Sequence, residues 1–383
     1  MSTRQLKSLL CFVLLSGCSM AFPADLKTDD AYNRGIKANN AFVKADKTRD
    51  YKLSETDGAA WQKYGNLDAD QDGFVSFDEF VVGADLPDPK WDGTVTRNVV
   101  YKRAGNETLL MDIYAPRKPV DGKAPVFYYT HGGGWVGGNK EIGGDIQPLF
   151  DQLSDQGFVC VSVMYRLVKM WNPKDDVLMR DCVVDCRDGL RFLKQHEEEL
   201  DVDMNRVVVF GSSAGGHLAQ LLTFSGADDF AGDPALAKYK VELAAGVSWF
   251  GPSDFRDNNL FDYQGPDRKF APDHWSRYIN KSQHFNYGKE DAAVRKMTEE
   301  LSPVWWLKND NAPLLHIHGD QDFVIPPQHA AHLKEKAADC GADVTVQMVR
   351  GAAHGWWNAG IEPSQDEVVQ MTVDFAMENT KVK

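Results

Sequence analysis

The sequence predicts a mostly parallel α/β sheet flanked by helices over residues 95–383, preceded by a small all-α module over residues 25–83. Three observations carry this. Short, strongly apolar runs recur beyond residue 124, each followed by a helix-like segment. A serine between glycines sits where one such run gives way to a helix. An acidic twelve-residue loop, "DADQDGFVSFDE", precedes all of them at residues 68–79.

The chain has 383 residues, 43% apolar and 26% charged, with a net charge of -14. An acidic chain without a Lys/Arg cluster argues against nucleic acid as a partner, because phosphate binding needs concentrated positive charge. It suits divalent cations and neutral substrates. Residues 1–24 have the three parts of an export signal: the charged "MSTRQLK", the apolar "SLLCFVLL" and then "LSGC". The run is too short to read as a membrane span. Leu15, Ser16, Gly17 and Cys18 resemble the bacterial lipobox. That resemblance implies lipid on Cys18 and anchoring to a membrane. Plain secretion with cleavage near Ala21 is the other reading. On both readings the protein leaves a bacterial cytoplasm, to be periplasmic, on the cell surface or secreted. Cys160, Cys182, Cys186 and Cys340 are too sparse for a disulfide framework and are expected to be small buried residues.

In the module, calcium chemistry explains residues 68–79. Calcium takes six to eight oxygens, and a twelve-residue loop supplies them from positions 1, 3, 5, 7, 9 and 12 with glycine at 6. Asp68, Asp70, Asp72, the Phe74 carbonyl, Ser76 and Glu79 occupy the ligand positions, Gly73 is the turn and Val75 is the apolar residue at position 8. The stretch resembles an EF-hand. A poorer copy, "DKTRDYKLSETD", spans residues 46–57. Asp46, Thr48, Asp50, the Lys52 carbonyl and Ser54 fall in place and Leu53 takes position 8. Tyr51 replaces the turn glycine and Asp57 replaces the bidentate glutamate, and both changes weaken the site. The close spacing requires one shared helix over 58–67. Residues 84–94, rich in proline and glycine, read as a linker.

From residue 95, "VTRNVVYKR" and "TLLMDIYAP" read as paired strands around the turn "AGNE". The apolar runs at 125–130, 158–165, 206–210, 244–250, 313–318 and 344–349 read as strands buried on both faces. "DCVVDCRDGLRFLKQHEEEL" and "PPQHAAHLKEKAAD" are helices between them. The strand "RVVVF" leads through "GSSAGG" into a helix, so the G-x-S-x-G spacing of Gly211, Ser213 and Gly215 lies on a strand–turn–helix elbow. A serine nucleophile needs a base and an orienting acid. Asp320 or Asp322 after one strand and His354 after the next supply them in the order required. "HGGGWVGG" after residue 130 presents glycine amides that, with Ala214, would stabilise an oxyanion. Its lack of a Lys-Ser/Thr ending sets it apart from a phosphate loop. His131 is expected to brace that loop, and His217 to be a packed polar residue. Trp135, Trp249, Trp305, Trp306, Trp356 and Trp357 lie near motif ends, as buried aromatics or as stacking surfaces for a ring. Residues 252–300 read as an insertion that shapes the substrate pocket.

HGGGW, Tyr165-Arg166, GSSAGG, HGDQDFVIP and His354-Gly355 together resemble the α/β-hydrolase esterases of the hormone-sensitive-lipase-like and feruloyl/acetyl-xylan-esterase-like groups. The resemblance implies Ser213 as nucleophile, His354 as base and Asp322 rather than Asp320 as acid. It also implies Gly133, Gly134 and Ala214 as oxyanion donors. A two-step acyl transfer through an acyl-enzyme follows, on short acyl or aryl esters of carbohydrates, with calcium structural and no cofactor in the chemistry. The alternative is an inactive hydrolase-fold protein that docks through calcium. Such a protein should lack a triad member, and this sequence lacks none.

Overall fold

The computed structural model describes residues 52–68, 71, 73–76, 94–105, 107–118, 120–144, 146–168, 177–262, 292–356 and 360–381. Cys18, Asp46, Thr48, Asp50, Asp70, Asp72, Glu79 and Trp357 lie outside them, as do the side chains of Lys52, Asp57 and Ser76. So do residues 84–93 of the linker and 263–291 of the insertion. The chain divides into two compact units, Met1–Asp92 with Glu141–Gln147, and Gly93–Lys140 with Pro148–Lys383. No helix among the described residues is long and apolar enough to cross a membrane.

In the first unit, β1 (Lys52–Leu53) pairs antiparallel with β2 (Val75–Ser76), Leu53 opposite Val75. These two apolar residues hold position 8 of the two acidic loops and are fully buried. α1 (Ala59–Tyr64) runs between them and ends in the 3-10 turn Gly65–Leu67, so the helix expected over 58–67 tightens in its last turn. Gly65 packs on the Trp61 ring: a Cβ there would lie 3.0 Å from it, closer than ordinary contact, so the ring would have to shift slightly for a larger residue.

The second unit is one eight-stranded sheet. β3 (Val95–Ala104) and β4 (Glu107–Tyr114) form the expected hairpin. β5 (Ala124–Thr130), α2 (Ile146–Asp155), β6 (Val159–Val163), α3 (Met179–Gln195), β7 (Val202–Ser212) and α4 (Ala214–Phe224) follow. β8 (Ala245–Trp249), α5 (Ala292–Glu300), β9 (Leu314–Gly319), α6 (Gln328–Cys340), β10 (Val344–Val349) and α7 (Gln365–Asn379) complete it. The strand order is β10-β9-β8-β7-β5-β6-β4-β3, and only β4 runs against the rest. Every residue of β5, β6, β8 and β9 is buried, the burial on both faces that continuous apolar runs require. β7 is longer than its apolar run because Val202 pairs with Ala124 at one end and Ser212 with Trp249 at the other.

The antiparallel edge is fastened by charge. Lys102 on β3 lies 2.7 Å from both Asp185 and Asp188 of α3, and both carboxylates are fully buried. Arg166 and Arg191 complete the balance on Asp185 and Asp188. Chain order reverses at β5, with β6 on one side and β7 on the other. A crevice opens at such a reversal, beyond the carboxyl ends of the strands, and ligands bind there.

Candidate active site

Ser213 stands at the end of β7 and immediately before α4, with φ +55° and ψ -120°. That backbone is costly for any residue with a Cβ, and the glycines around it make it possible. A Cβ on Gly211 would lie 2.2 Å from the Gly215 carbonyl oxygen, and one on Gly215 would lie 2.0 Å from the Thr130 carbonyl oxygen. The elbow is therefore pressed directly against the end of β5. Thr130 Oγ1 donates to the Gly215 carbonyl at 2.9 Å and pins it there.

The three residues from separate strand ends meet. Asp322 Oδ2 accepts from His354 Nδ1 at 2.7 Å, and Ser213 Oγ lies 3.0 Å from His354 Nε2. A carboxylate only accepts, so the hydrogen of a neutral His354 sits on Nδ1 and Nε2 faces Ser213 Oγ as the proton acceptor. Asp322 is fully buried, and its other oxygen accepts from the Val324 and Ile325 amides at 2.8 and 2.9 Å. Asp320 takes no part: its Oδ1 accepts from the Gly351 amide at 2.7 Å. Phe250 packs its ring 4.6 Å from the His354 ring, and Trp356 lies 4.9 Å behind Phe250.

Gly133 and Gly134 lie in the loop after β5 with φ +121° and +61°. A Cβ on Gly133 would collide with the Gly137 carbonyl oxygen at 2.1 Å. Ala214 is the first residue of α4, where backbone N–H groups have no partner within the helix. The loop is braced from behind. His131 Nδ1 donates to the Gly132 carbonyl at 2.7 Å, its ring stacks on Tyr165 at 4.2 Å, and Tyr165 Oη donates to the His131 carbonyl at 2.8 Å. Burial lowers His131 to about 4, so it is a neutral brace at ordinary pH. His217 is packed in the same way: Trp135 Nε1 donates to its Nδ1 at 3.3 Å, and its Nε2 donates to the Leu301 carbonyl at 2.7 Å. Burial lowers it too to about 4.

Trp135, Trp249 and Trp356 are buried, whereas Trp305 is 56% exposed. In the insertion, Ser253, Asp254 and Phe255 are buried against the core. Sequence reasoning passed over His316 and His318. Two histidines two apart in a buried strand share a face, and that spacing was the available signal. Among the described residues no cluster of three or more His, Cys, Asp or Glu could hold a metal in either unit. In the acidic loop Asp68 Oδ2 accepts from the Gly73 amide at 3.0 Å, and Gly73 has φ +88°.

The fold and this constellation define an α/β-hydrolase. The chain belongs to the BD-FAE family, which matches residues 111–337. Esterase LipC of Mycobacterium tuberculosis is 26% identical over 302 residues, 74% of this chain and 68% of LipC. The chain spans between about half and two thirds of the length of the mycobacterial esterases LipM, LipC and LipQ that it matches. Among solved structures, a butyrate-bound esterase of Thermogutta terrifontis is similar, with TM-score 0.57 and 22% identity, covering 75% of this chain and 94% of that one. A truncated carbohydrate esterase from gut microbiota is similar with TM-score 0.56 and 20% identity, covering 75% and 96%. At these identities the likeness is one of fold.

Proposed function

We propose that this protein is a serine carboxylic-ester hydrolase that works through an acyl-enzyme. One observation carries the reading: the continuous hydrogen-bonded row Ser213–His354–Asp322, assembled from the ends of β7, β10 and β9. Ser213 attacks the ester carbonyl while His354 Nε2 takes its proton. Asp322 holds the resulting imidazolium. The tetrahedral oxyanion rests on the amides of Gly133, Gly134 and Ala214 at the N-terminus of α4, where donors and dipole both favour negative charge. His354 returns its proton to the leaving alcohol. Water then enters by the same route and releases the acid.

The substrate class we favour is a short acyl or aryl ester of a carbohydrate. It rests on the family resemblance and on the likeness in fold to the gut carbohydrate esterase. The test is a panel of p-nitrophenyl esters, acetylated xylan and methyl ferulate, run with wild type and Ser213→Ala side by side. Turnover that is lost in the variant, with a fluorophosphonate label on Ser213 alone, is the expected result. Equal silence of both proteins would sink the proposal.

The first unit is, in this reading, a calcium module. Support comes from the pairing of the two position-8 residues and from the Gly73 amide closing on Asp68. Asp68, Asp70, Asp72, the Phe74 carbonyl, Ser76 and Glu79 would hold the ion. The loop at 46–57 would hold a second more weakly through Asp46, Thr48, Asp50, the Lys52 carbonyl and Asp57. Calcium there would stabilise the module and supply no chemistry. Chelation should lower the melting temperature and leave turnover of a small ester unchanged. The export signal and a lipid on Cys18 are read from the sequence, and mass spectrometry of the mature N-terminus tests them.

A further inference from the structure

Behind Asp322 lies a row of histidines that the triad does not use. His316 and His318 share a face of β9, and His329 stands on α6, all three fully buried. The protons of this row are fixed one by one. His318 Nε2 lies 2.8 Å from the Ile325 carbonyl, which can only accept, so Nε2 carries the hydrogen. His318 Nδ1 is then bare and accepts from His316 Nε2 at 3.0 Å. That places the His316 hydrogen on Nε2 and leaves its Nδ1 a lone pair. The Ser253 amide donates to His329 Nδ1 at 3.2 Å, so the His329 hydrogen also sits on Nε2. Among the described residues neither His316 Nδ1 nor His329 Nε2 has a hydrogen-bond partner, and the two are of opposite kinds, an acceptor and a donor. Burial lowers all three from the usual histidine range, which keeps them neutral.

The row ends at the acid. His318 Nε2 is 3.5 Å from Asp322 Oδ2, the oxygen that holds His354. It does not compete for that oxygen, because its one hydrogen is spent on Ile325, whose own amide grips Asp322 Oδ1. We propose that His318, locked in one tautomer by the Ile325 carbonyl, is a positioning residue that ties the Asp322–Ile325 turn to β9 and so aims Asp322 Oδ2 at His354. The proposal rests on the triad reading given above.

The test uses the full chain and three variants, assayed on p-nitrophenyl butyrate. His318→Phe keeps the ring and removes both hydrogen bonds. His318→Gln restores a donor to Ile325. A misplacement of order 1 Å costs about a hundredfold in rate, so His318→Phe should lose roughly that in kcat with KM little changed, and His318→Gln should recover about tenfold. Ser213→Ala separates the two readings. If it stays active, the triad reading fails. If it is dead while His318→Phe keeps full kcat, or while Phe and Gln lose equally, this inference alone fails. Should His318→Phe not fold, nitrogen-15 histidine spectra of the wild type decide, with His318 assigned by its absence from the Gln variant. A neutral Nε2–H signal that does not titrate between about pH 5 and 8 is expected. An Nδ1–H tautomer or an ordinary titration at His318 would overturn the proposal.

Discussion

Replacing Gly215 with alanine tests how the elbow and the glycine loop are held together. The new Cβ would meet the Thr130 carbonyl oxygen at 2.0 Å and the His131 carbonyl oxygen at 2.6 Å, against the 3.0 Å below which real Cβ atoms essentially never approach. The end of β5 and the start of α4 must then separate by about 1 Å. That distance is the one between the nucleophile and the amides of the glycine loop, so the strain falls on catalysis. A shift of this size costs about a hundredfold in kcat, and overpacking of the core costs about 1–3 kcal/mol in stability. Gly246→Ala is the control, since its nearest contact is the Thr223 hydroxyl oxygen at 2.0 Å, near the end of α4 that is remote from Ser213. Its loss in kcat should be several-fold smaller. Steady-state kinetics on p-nitrophenyl butyrate, with a urea melt of each variant, read out both effects. If Gly215→Ala turned over within about twofold of wild type, the idea that this contact sets the catalytic spacing would be refuted.

Four further outcomes follow from the packing. Asp322→Asn should lower kcat by about 10³–10⁴, because the wrong tautomer of His354 then faces Ser213; an unchanged rate would exclude Asp322 as the acid. Lys102→Met leaves two buried carboxylates short of one partner, and since Arg166 and Arg191 remain, the loss should sit near the lower end of the usual range, about 3 kcal/mol in urea unfolding. His131 and His217 have folded values of about 4 against an unfolded value of 6.5, so their contribution is present above pH 6.5 and is lost as pH falls towards 4. At 1.36 kcal/mol per pKa unit that is about 3 kcal/mol for each group once pH is below 4, and about 2 kcal/mol of it should be lost between pH 7 and pH 5, where stability is measured. Cys160, Cys182 and Cys186 are buried, with the Cys160 thiol pushed up to about 12, so a thiol reagent should label the partly exposed Cys340 first in the native protein.

The order of elements in the large unit could be read from the chain because burial on both faces leaves a clear mark: runs such as "PVFYYT" have no polar face to confuse their assignment. Ser213, Asp322 and His354 each follow such a run, and strand ends in a parallel sheet converge, which is why positions 141 and 32 residues apart from His354 end up within reach of it. What the chain did not announce were the supports. Tyr165 Oη on the His131 carbonyl, Trp135 on His217 and Phe250 on His354 are contacts between distant turns. No local pattern specifies them. The choice between Asp320 and Asp322 was likewise open to spacing, and depends on which carboxylate the turn directs at the Gly351 amide.

Ser213, Trp135, Phe250 and Trp356, four residues with side chains, hold positive φ around the same crevice. Each such backbone costs on the order of 1–3 kcal/mol and survives only because its surroundings over-determine it. The crevice thus holds stored strain within a well-packed sheet. Glycine at position 213 would release the tension at once, and the resulting protein should be inert yet melt at a higher temperature than its parent. Robustness and reactivity draw here on the same few torsions, and improving one by substitution at these positions means surrendering the other.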